Sequence, residues 1–420
     1  MMDLSSPSVE PATRERGRPE PGAPLSIVLG LAGLQLGGCQ INAIDLGRAL
    51  RLRGHDVAVF AVRDDDVSVS VAPYAARAGF DIELMGDRTT TWQTARRITR
   101  IADRHGADVV HVFAPWLGRI VGVASASWAG GRACVETNWN MENAFWGSPR
   151  VPLIVGTGAM QAEAQTRVAV AHLMEPPVDL GTDRPDPAAA AAFRVSHGIR
   201  PEEVVLTIVT RVDREMKGEG IVRAIAAVVA LDRPGVRLVV VGDGDAYQDV
   251  ARVASDANTR LGRPAVLLTG SMLDPRPAYA AADVVLGMGG SAIRALAHGK
   301  PLVVLGADGF ALTYEATSLP HFRREGFYGT GSATDPVEHL TTLLDDLVAD
   351  PARRAALGMF GLAEAESRFG LEAAATSLEL IYRSAIDHAP PRLVRLHQAA
   401  RLLTHEAVAR TRSATRPRTR

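Results

Sequence analysis

The chain has 420 residues, 47% of them hydrophobic and 22% charged, which is enough apolar material for more than one packed core; at about 100 to 200 residues per domain, two domains are expected. Its 46 basic and 47 acidic residues leave a formal charge of -1, so there is no global pull toward nucleic acid or an acidic surface. Two cysteines, Cys39 and Cys134, exclude a disulfide framework or a four-thiolate zinc site and fit a reducing cytoplasm.

Residues 1–24 carry seven charges and five prolines with no apolar stretch, and read as a disordered leader. From Leu25 an apolar run, LSIVLGLAG, is followed by the turn Gly37-Gly38 and a helical period through Ala43, Leu46 and Leu50, closed by Arg51, Arg53 and Gly54. Strands are expected at 57–62, 81–85, 108–113, 133–137, 152–155 and 168–173, most of them separated by helix-length segments such as 91–105. Strands alternating with helices imply parallel pairing through right-handed crossovers, so the first half (25–180) is a doubly wound α/β sheet. Proline and aspartate then accumulate over 175–185, a hinge, and helical residues resume at Pro187.

The alternation restarts with strands at 204–210, 236–241, 265–269, 282–286 and 301–305, giving a second doubly wound domain over 181–370. Helices follow at 371–388 and 392–410, with the possibility that they cross back to the first domain. The second has Leu393, Leu396, Ala400, Leu403 and Ala407 on one face, read as packing back on the protein rather than onto a membrane. Residues 411–420, with four arginines, read as a disordered basic tail. No stretch reaches the roughly 18 apolar residues of a membrane span.

Ligands of open parallel sheets sit beyond the carboxyl ends of the strands, where helix-start amides hold anions. Four glycine turns fall there: Gly37-Gly38, Gly242-Asp243-Gly244, Gly270-Ser271 and Gly287-Met288-Gly289-Gly290-Ser291. Three lie in the second half, which is therefore expected to cradle a phosphorylated ligand. Arg211 directly follows the strand VVLTIVT and Lys217 stands six residues on, before a helix, so both are placed to neutralise a diphosphate. Lys217 and Lys300 are the only lysines against 44 arginines, a bias read as genomic, under which a lysine with no special role drifts to arginine.

The string TRVDREMKGEGIVRAIAAV resembles the signature of the retaining, nucleotide-sugar-dependent glycosyltransferases of the two-Rossmann (GT-B) type, family four. The resemblance continues through VVVGDGD, LLTGSMLDPRPAYAAADVVLGMGGSAIRALAHGKPLVV and the PPVD hinge, with GG and LRLRGHDV in the first half. It implies a sugar transfer from a nucleotide diphosphate donor to an acceptor hydroxyl, with retention, no metal and no cofactor beyond the nucleotide-sugar co-substrate. Arg211 and Lys217 would then neutralise the diphosphate, to which Gly289, Gly290, Ser291 and Ala292 present a helix start. Ser271 and Met272 would lie against the base, near Gly242 and Gly244, and Gly37 and Gly38 would face the donor across the cleft. The acceptor would be a small or lipid-linked hydroxyl compound on the first-domain side, near His111, Asn138 and Trp139, although His111 in DVVHVFAPW reads first as a hydrogen-bonded core histidine.

Two departures stand out. Arg294 occupies the place of a glutamate that in the family touches the donor sugar or ribose, and Leu286 stands where an acidic residue is usual, eight positions earlier. In ETNWN, Asn138 and Trp139 replace a histidine that often contacts the sugar. These changes keep open two rival readings, a nucleotide-sugar epimerase on the same fold and a non-catalytic binding subunit. Asp64-Asp65-Asp66 reads as a solvated loop rather than a metal site, Cys39 as a packing residue, and Trp116, Trp139 and Trp146 as stacking or interdomain aromatics.

Overall fold

Runs such as SIVLGL and VRLVVV are apolar on both faces, the composition of a strand covered by helices on either side. The computed structural model describes residues 19–20, 22–63, 69–86, 90–128, 132–140, 148–214, 217–331 and 333–414, with side chains of the last helix described to residue 404. Asp64-Asp65-Asp66, Trp146, most of the leader and residues 415–420 lie outside the described residues.

The first domain holds β1 (Ser26–Leu31), β2 (Asp56–Ala61), β3 (Ile82–Leu84), β4 (Val109–Val112), β5 (Ala133–Asn138), β6 (Leu153–Val155) and β7 (Ala171–Leu173). They form one sheet in the order β3-β2-β1-β4-β5-β6-β7, parallel throughout. The second domain holds β8 (Val204–Val209), β9 (Val236–Val241), β10 (Val266–Gly270), β11 (Val284–Gly287), β12 (Leu302–Leu305) and β13 (Ala311–Thr313), in the order β10-β9-β8-β11-β12-β13. Both are doubly wound sheets whose strand order reverses beside the first strand, the place where such sheets open a crevice at their carboxyl edge.

β13 lies outside the strands expected from the sequence. It is three residues long, runs antiparallel to β12 and is folded back by a turn in which Gly306 N–H donates to Phe310 O at 3.0 Å, so it carries no periodicity to detect. The expected strand 168–173 contracts to Ala171–Leu173, the only part that pairs with β6.

Helix starts follow local chemistry. Thr90 and Gln93 form a capping box for Thr91–Arg104, and Asp186 accepts the Ala189 amide at 2.9 Å with Pro187 opening Pro187–Ser196. The chain passes between domains twice at one point. Val178 N–H donates to Phe369 O at 2.7 Å, and Leu371 N–H to Val178 O at 3.0 Å. Helix Leu371–Asp387 then packs Leu378, Ile381 and Tyr382 into the core of the first domain.

Helix Arg392–Ala414 lies against helix Pro115–Ala124 of the first domain, but on a different face from the one read in the sequence. Ala399, Leu402 and Leu403 point inward, whereas Leu393 is 81% exposed. The rotation is set by two arginines that supply donors to carbonyls: Arg395 to Trp128 O at 3.1 Å and Arg119 to Leu402 O at 2.9 Å. The helix also continues to Ala414, four residues into the stretch expected to be a loose tail. No described helix is long and apolar enough to cross a membrane.

Candidate active-site cleft

Beyond the end of β8 the chain turns through Arg211, Val212 and Asp213, and Asp213 organises the turn. Its Oδ1 accepts the Lys217 amide at 3.1 Å and its carbonyl accepts the Gly218 amide at 2.8 Å, which starts helix Gly218–Leu231. Its Oδ2 lies 3.4 Å from Arg211 Nε and 4.0 Å from Lys217 Nζ. The two cations predicted to act together are therefore held around one carboxylate. Burial pulls the Lys217 ammonium below the ordinary lysine range, Asp213 opposes that shift and Arg211 adds to it. Asp213 was missed in the sequence, although it sits within the RVDREMK string that carries the resemblance.

The glycines sort into two kinds. A Cβ on Gly242 would sit 1.7 Å from Thr210 O, and one on Gly244 2.3 Å from Val212 O, so these two let the following turn press against the Arg211 loop. Val212 N–H donates to Asp243 O at 3.0 Å and locks that contact. They brace the loop. By contrast, a Cβ on Gly38 or Gly290 would meet nothing within 4 Å, and one on Gly37 only the Gln40 side chain.

Gly37 caps helix Gly38–Leu52 in the first domain, and Gly289, at φ 55°, caps helix Gly290–Ala297 in the second. The Ser291 hydroxyl is turned back onto Met288 O at 2.9 Å, and the Ala292 amide donates to Gly289 O at 3.1 Å. Gly290 and Ser291 thus head the helix, where amides lack an intrahelical carbonyl. Ser271 is exposed just past β10, and Met272 is half-buried against the small apolar cluster that includes Phe193 and Val239.

Three predicted residues stand apart from this group. His111 is fully buried, with Nδ1 2.7 Å from the Tyr382 hydroxyl and Nε2 2.7 Å from Thr137 Oγ1, so neither nitrogen is left for an acceptor. Burial pushes its pKa down to about 3 and holds the ring neutral. Asn138 is 4% exposed and turns its side chain onto the Asn140 amide at 3.0 Å. Arg294 points its guanidinium at Asp183, 2.7 Å away, and Asp45, 3.8 Å away, rather than into open cleft. Trp139 does border open space: its Nε1 donates to Met174 O at 2.8 Å, and it lines a cavity of about 550 Å³ between the domains. Thr157, Glu175, Gly289, His321 and Phe327 also line it. Cys39 donates its thiol to Phe113 O at 3.6 Å, and burial pushes it up to about 12, which suits a packing role. Among the described residues no three His, Cys, Asp or Glu side chains are grouped as metal ligands.

Two Rossmann-like domains with a cavity lined from both of them have the GT-B class of architecture. Residues 36–155 match the family model described as Glycosyltransferase Family 4, and residues 203–346 match Glycosyl transferases group 1. The chain belongs to the GT-B glycosyltransferases of the family-four type. It is 32% identical over 275 residues to a D-inositol 3-phosphate glycosyltransferase of Segniliparus rotundus, covering 58% of each chain. It is 33% identical over 209 residues to a GDP-mannose-dependent alpha-(1-6)-phosphatidylinositol monomannoside mannosyltransferase of Mycolicibacterium smegmatis, covering 46% of this chain and 50% of that one. The chain thus spans little more than half the length of these curated relatives. Among solved structures, HepE of Anabaena in complex with UDP superposes with a TM-score of 0.66 at 17% identity, covering 86% of this chain and all of that one, a likeness of fold.

Proposed function

We propose that the protein transfers a sugar from a nucleotide diphosphate donor to an acceptor hydroxyl, with retention and without an obligatory metal. The observation that carries this reading is the Arg211, Asp213 and Lys217 cluster at the carboxyl edge of the second sheet. A departing diphosphate gathers negative charge, and preorganised cations at that place lower the barrier as a metal does elsewhere. The bond between the anomeric carbon and the diphosphate oxygen breaks, the acceptor oxygen takes the carbon, and the hydroxyl proton leaves with the nucleotide. The acceptor, a small or lipid-linked hydroxyl compound, enters from the Trp139 side through the interdomain cavity. Names of relatives that use GDP-mannose or act on inositol phosphates support a donor and acceptor of these kinds.

The test is nucleotide release from UDP- and GDP-sugars with inositol phosphate and phosphatidylinositol acceptors. Loss of Lys217 in Lys217→Ala is expected to cost about 2.7 to 4 kcal/mol of barrier, roughly a hundredfold or more in turnover, at unchanged thermal stability. Near-normal turnover in that variant overturns the mechanism, and a sugar changed without nucleotide release makes the protein an epimerase.

A further inference from the structure

The two walls of the cleft are joined by a buried ionic cluster. Arg294 lies on helix Gly290–Ala297 of the second domain, its side chain 19% exposed. Its Nη1 donates to Asp183 Oδ2 at 2.7 Å, and its Nη2 lies 3.8 Å from Asp45 Oδ2. Asp183 belongs to the hinge and is 3% exposed as a side chain. Asp45 belongs to helix Gly38–Leu52 of the first domain, and its Oδ1 accepts the Tyr74 hydroxyl at 2.6 Å. The same helix is held a second time, by Arg48 Nη2 at 2.5 Å from Asp179 Oδ2 in the hinge. Asp179 O in turn accepts the Asp183 amide at 2.7 Å.

The placement gives the cluster its meaning. Both helices begin at glycines whose faces are open, Gly38 and Gly290, and the helix starts are the anion-holding parts of such folds. A guanidinium on one helix that reaches a carboxylate on the other fixes how those two starts face each other. Buried ion pairs add little net stability over an apolar contact, and their best-attested use is to fix a single register. A planar fork can serve two carboxylates at once, which a lysine ammonium does less well.

We propose that Arg294 is an interdomain positioning residue: it sets helix Gly290–Ala297 against helix Gly38–Leu52 through Asp45, and against the hinge through Asp183, so that the cleft stands closed around its donor. Only the kinetic and nucleotide-affinity arms of its test rest on the proposed sugar transfer. Opening the cleft would separate Asp45 from Arg294 while Asp183 stays with its partner, so the Asp45 contact is the part that reports domain closure.

The experiment compares the full chain with Asp45→Asn, Arg294→Lys and Arg294→Met. Asp45→Asn keeps an oxygen for Tyr74 and leaves the Arg294 pair with Asp183, so it is the variant least disturbed in folding. Small-angle scattering is expected to show a larger radius of gyration in Asp45→Asn and Arg294→Met, and hydrogen exchange to show faster exchange over 179–186. UDP or GDP, whichever the wild type binds, should keep its affinity within about twofold, since the residues proposed to hold base and diphosphate, Arg211, Lys217, Ser271 and Gly290, all belong to the second domain. Turnover should fall on the order of tenfold, and Asp45→Asn should add no further loss in the Arg294→Met background. Wild-type scattering, exchange and turnover in Asp45→Asn, or fully additive losses in the double variant, overturn the proposal. If the wild type turns over no donor, the sugar-transfer reading fails, while scattering and exchange still decide the clasp.

Discussion

Substituting alanine at Gly242 and at Gly290 should have opposite effects on stability and on binding. At Gly242 the added methyl would overlap the Thr210 carbonyl at 1.7 Å, on a backbone at φ 150° that side-chain-bearing residues rarely adopt. Strain and overpacking of that kind cost on the order of 3 kcal/mol or more, and at about 2 to 4 °C per kcal/mol the melting temperature should drop by roughly 10 °C. At Gly290 the methyl meets nothing within 4 Å, and replacing glycine by alanine in a helix adds about 0.5 to 1 kcal/mol, so the variant should melt slightly higher. Yet a diphosphate seated on that helix start needs the same space, so nucleotide affinity should fall about tenfold or more, equivalent to about 1.4 kcal/mol. Thermal melts of both variants, with and without UDP or GDP, separate the two effects. A Gly290→Ala protein that binds nucleotide as tightly as the wild type, or a Gly242→Ala protein with unchanged melting, would refute the reasoning.

Two further variants test charge. Glu136 lies buried on β5 in a notch left by Gly118, and burial pushes its carboxyl up to about 8; the folded state then holds a proton that the unfolded chain releases near 4.5, so stability falls as pH rises between those values. Glu136→Gln should therefore stabilise the protein increasingly from pH 5 to pH 8, by on the order of 1 to 3 kcal/mol at the upper end, and a pH-independent difference in the melts would rule this out. Arg294→Glu would set a third carboxylate beside Asp183 and Asp45; despite restoring the family residue it should destabilise by about 3 kcal/mol and impair turnover, as melts and nucleotide release would show.

Most of the architecture was legible because buried parallel strands are written as apolar runs between helix-length segments. The strand 236–241 and the restart of helix at Pro187 are found where composition placed them. What escaped depended on neighbours distant in sequence. The edge strand Ala311–Thr313 exists because β12 is there to receive it. The packed face of the last helix is chosen by Arg119 and Trp128, more than 260 residues away. In the site, glycine-rich turns and the spacing of Arg211 and Lys217 were visible, but which glycines brace and which stay open depends on the carbonyls of Thr210 and Val212. His111 ends a strand and reads as a hydrogen-bonded core histidine within reach of the cleft; which partners satisfy it was not legible, since Tyr382 arrives from a helix 271 residues later. Asp45 did leave a trace, as a charge among the apolar positions of QINAIDLGRAL, without any sign of its partner.

The two surviving lysines allow composition to be weighed against position. Lys300 is largely buried, and its Nζ donates to Ala280 O at 2.8 Å; burial lowers its pKa and Asp283 opposes the shift. Lys217 shares only the buried ammonium with a lowered pKa; its Nζ stands 4.0 Å from Asp213 Oδ2 at the cleft edge rather than on a backbone carbonyl. Scarcity therefore does not itself mark chemistry. Location separates the two, since Lys300 follows helix Gly290–Ala297 at the end away from the cleft, whereas Lys217 starts helix Gly218–Leu231 at the cleft edge. Lys300→Arg should accordingly lower the melting temperature, by about 1 to 3 kcal/mol of overpacking, and leave turnover per folded molecule unchanged. Lys217→Arg should do the reverse, keeping the melt and losing part of the turnover. Parallel melts and nucleotide-release rates for the two variants decide it. If Lys217→Arg loses stability and activity together while Lys300→Arg loses neither, both lysines have been misassigned.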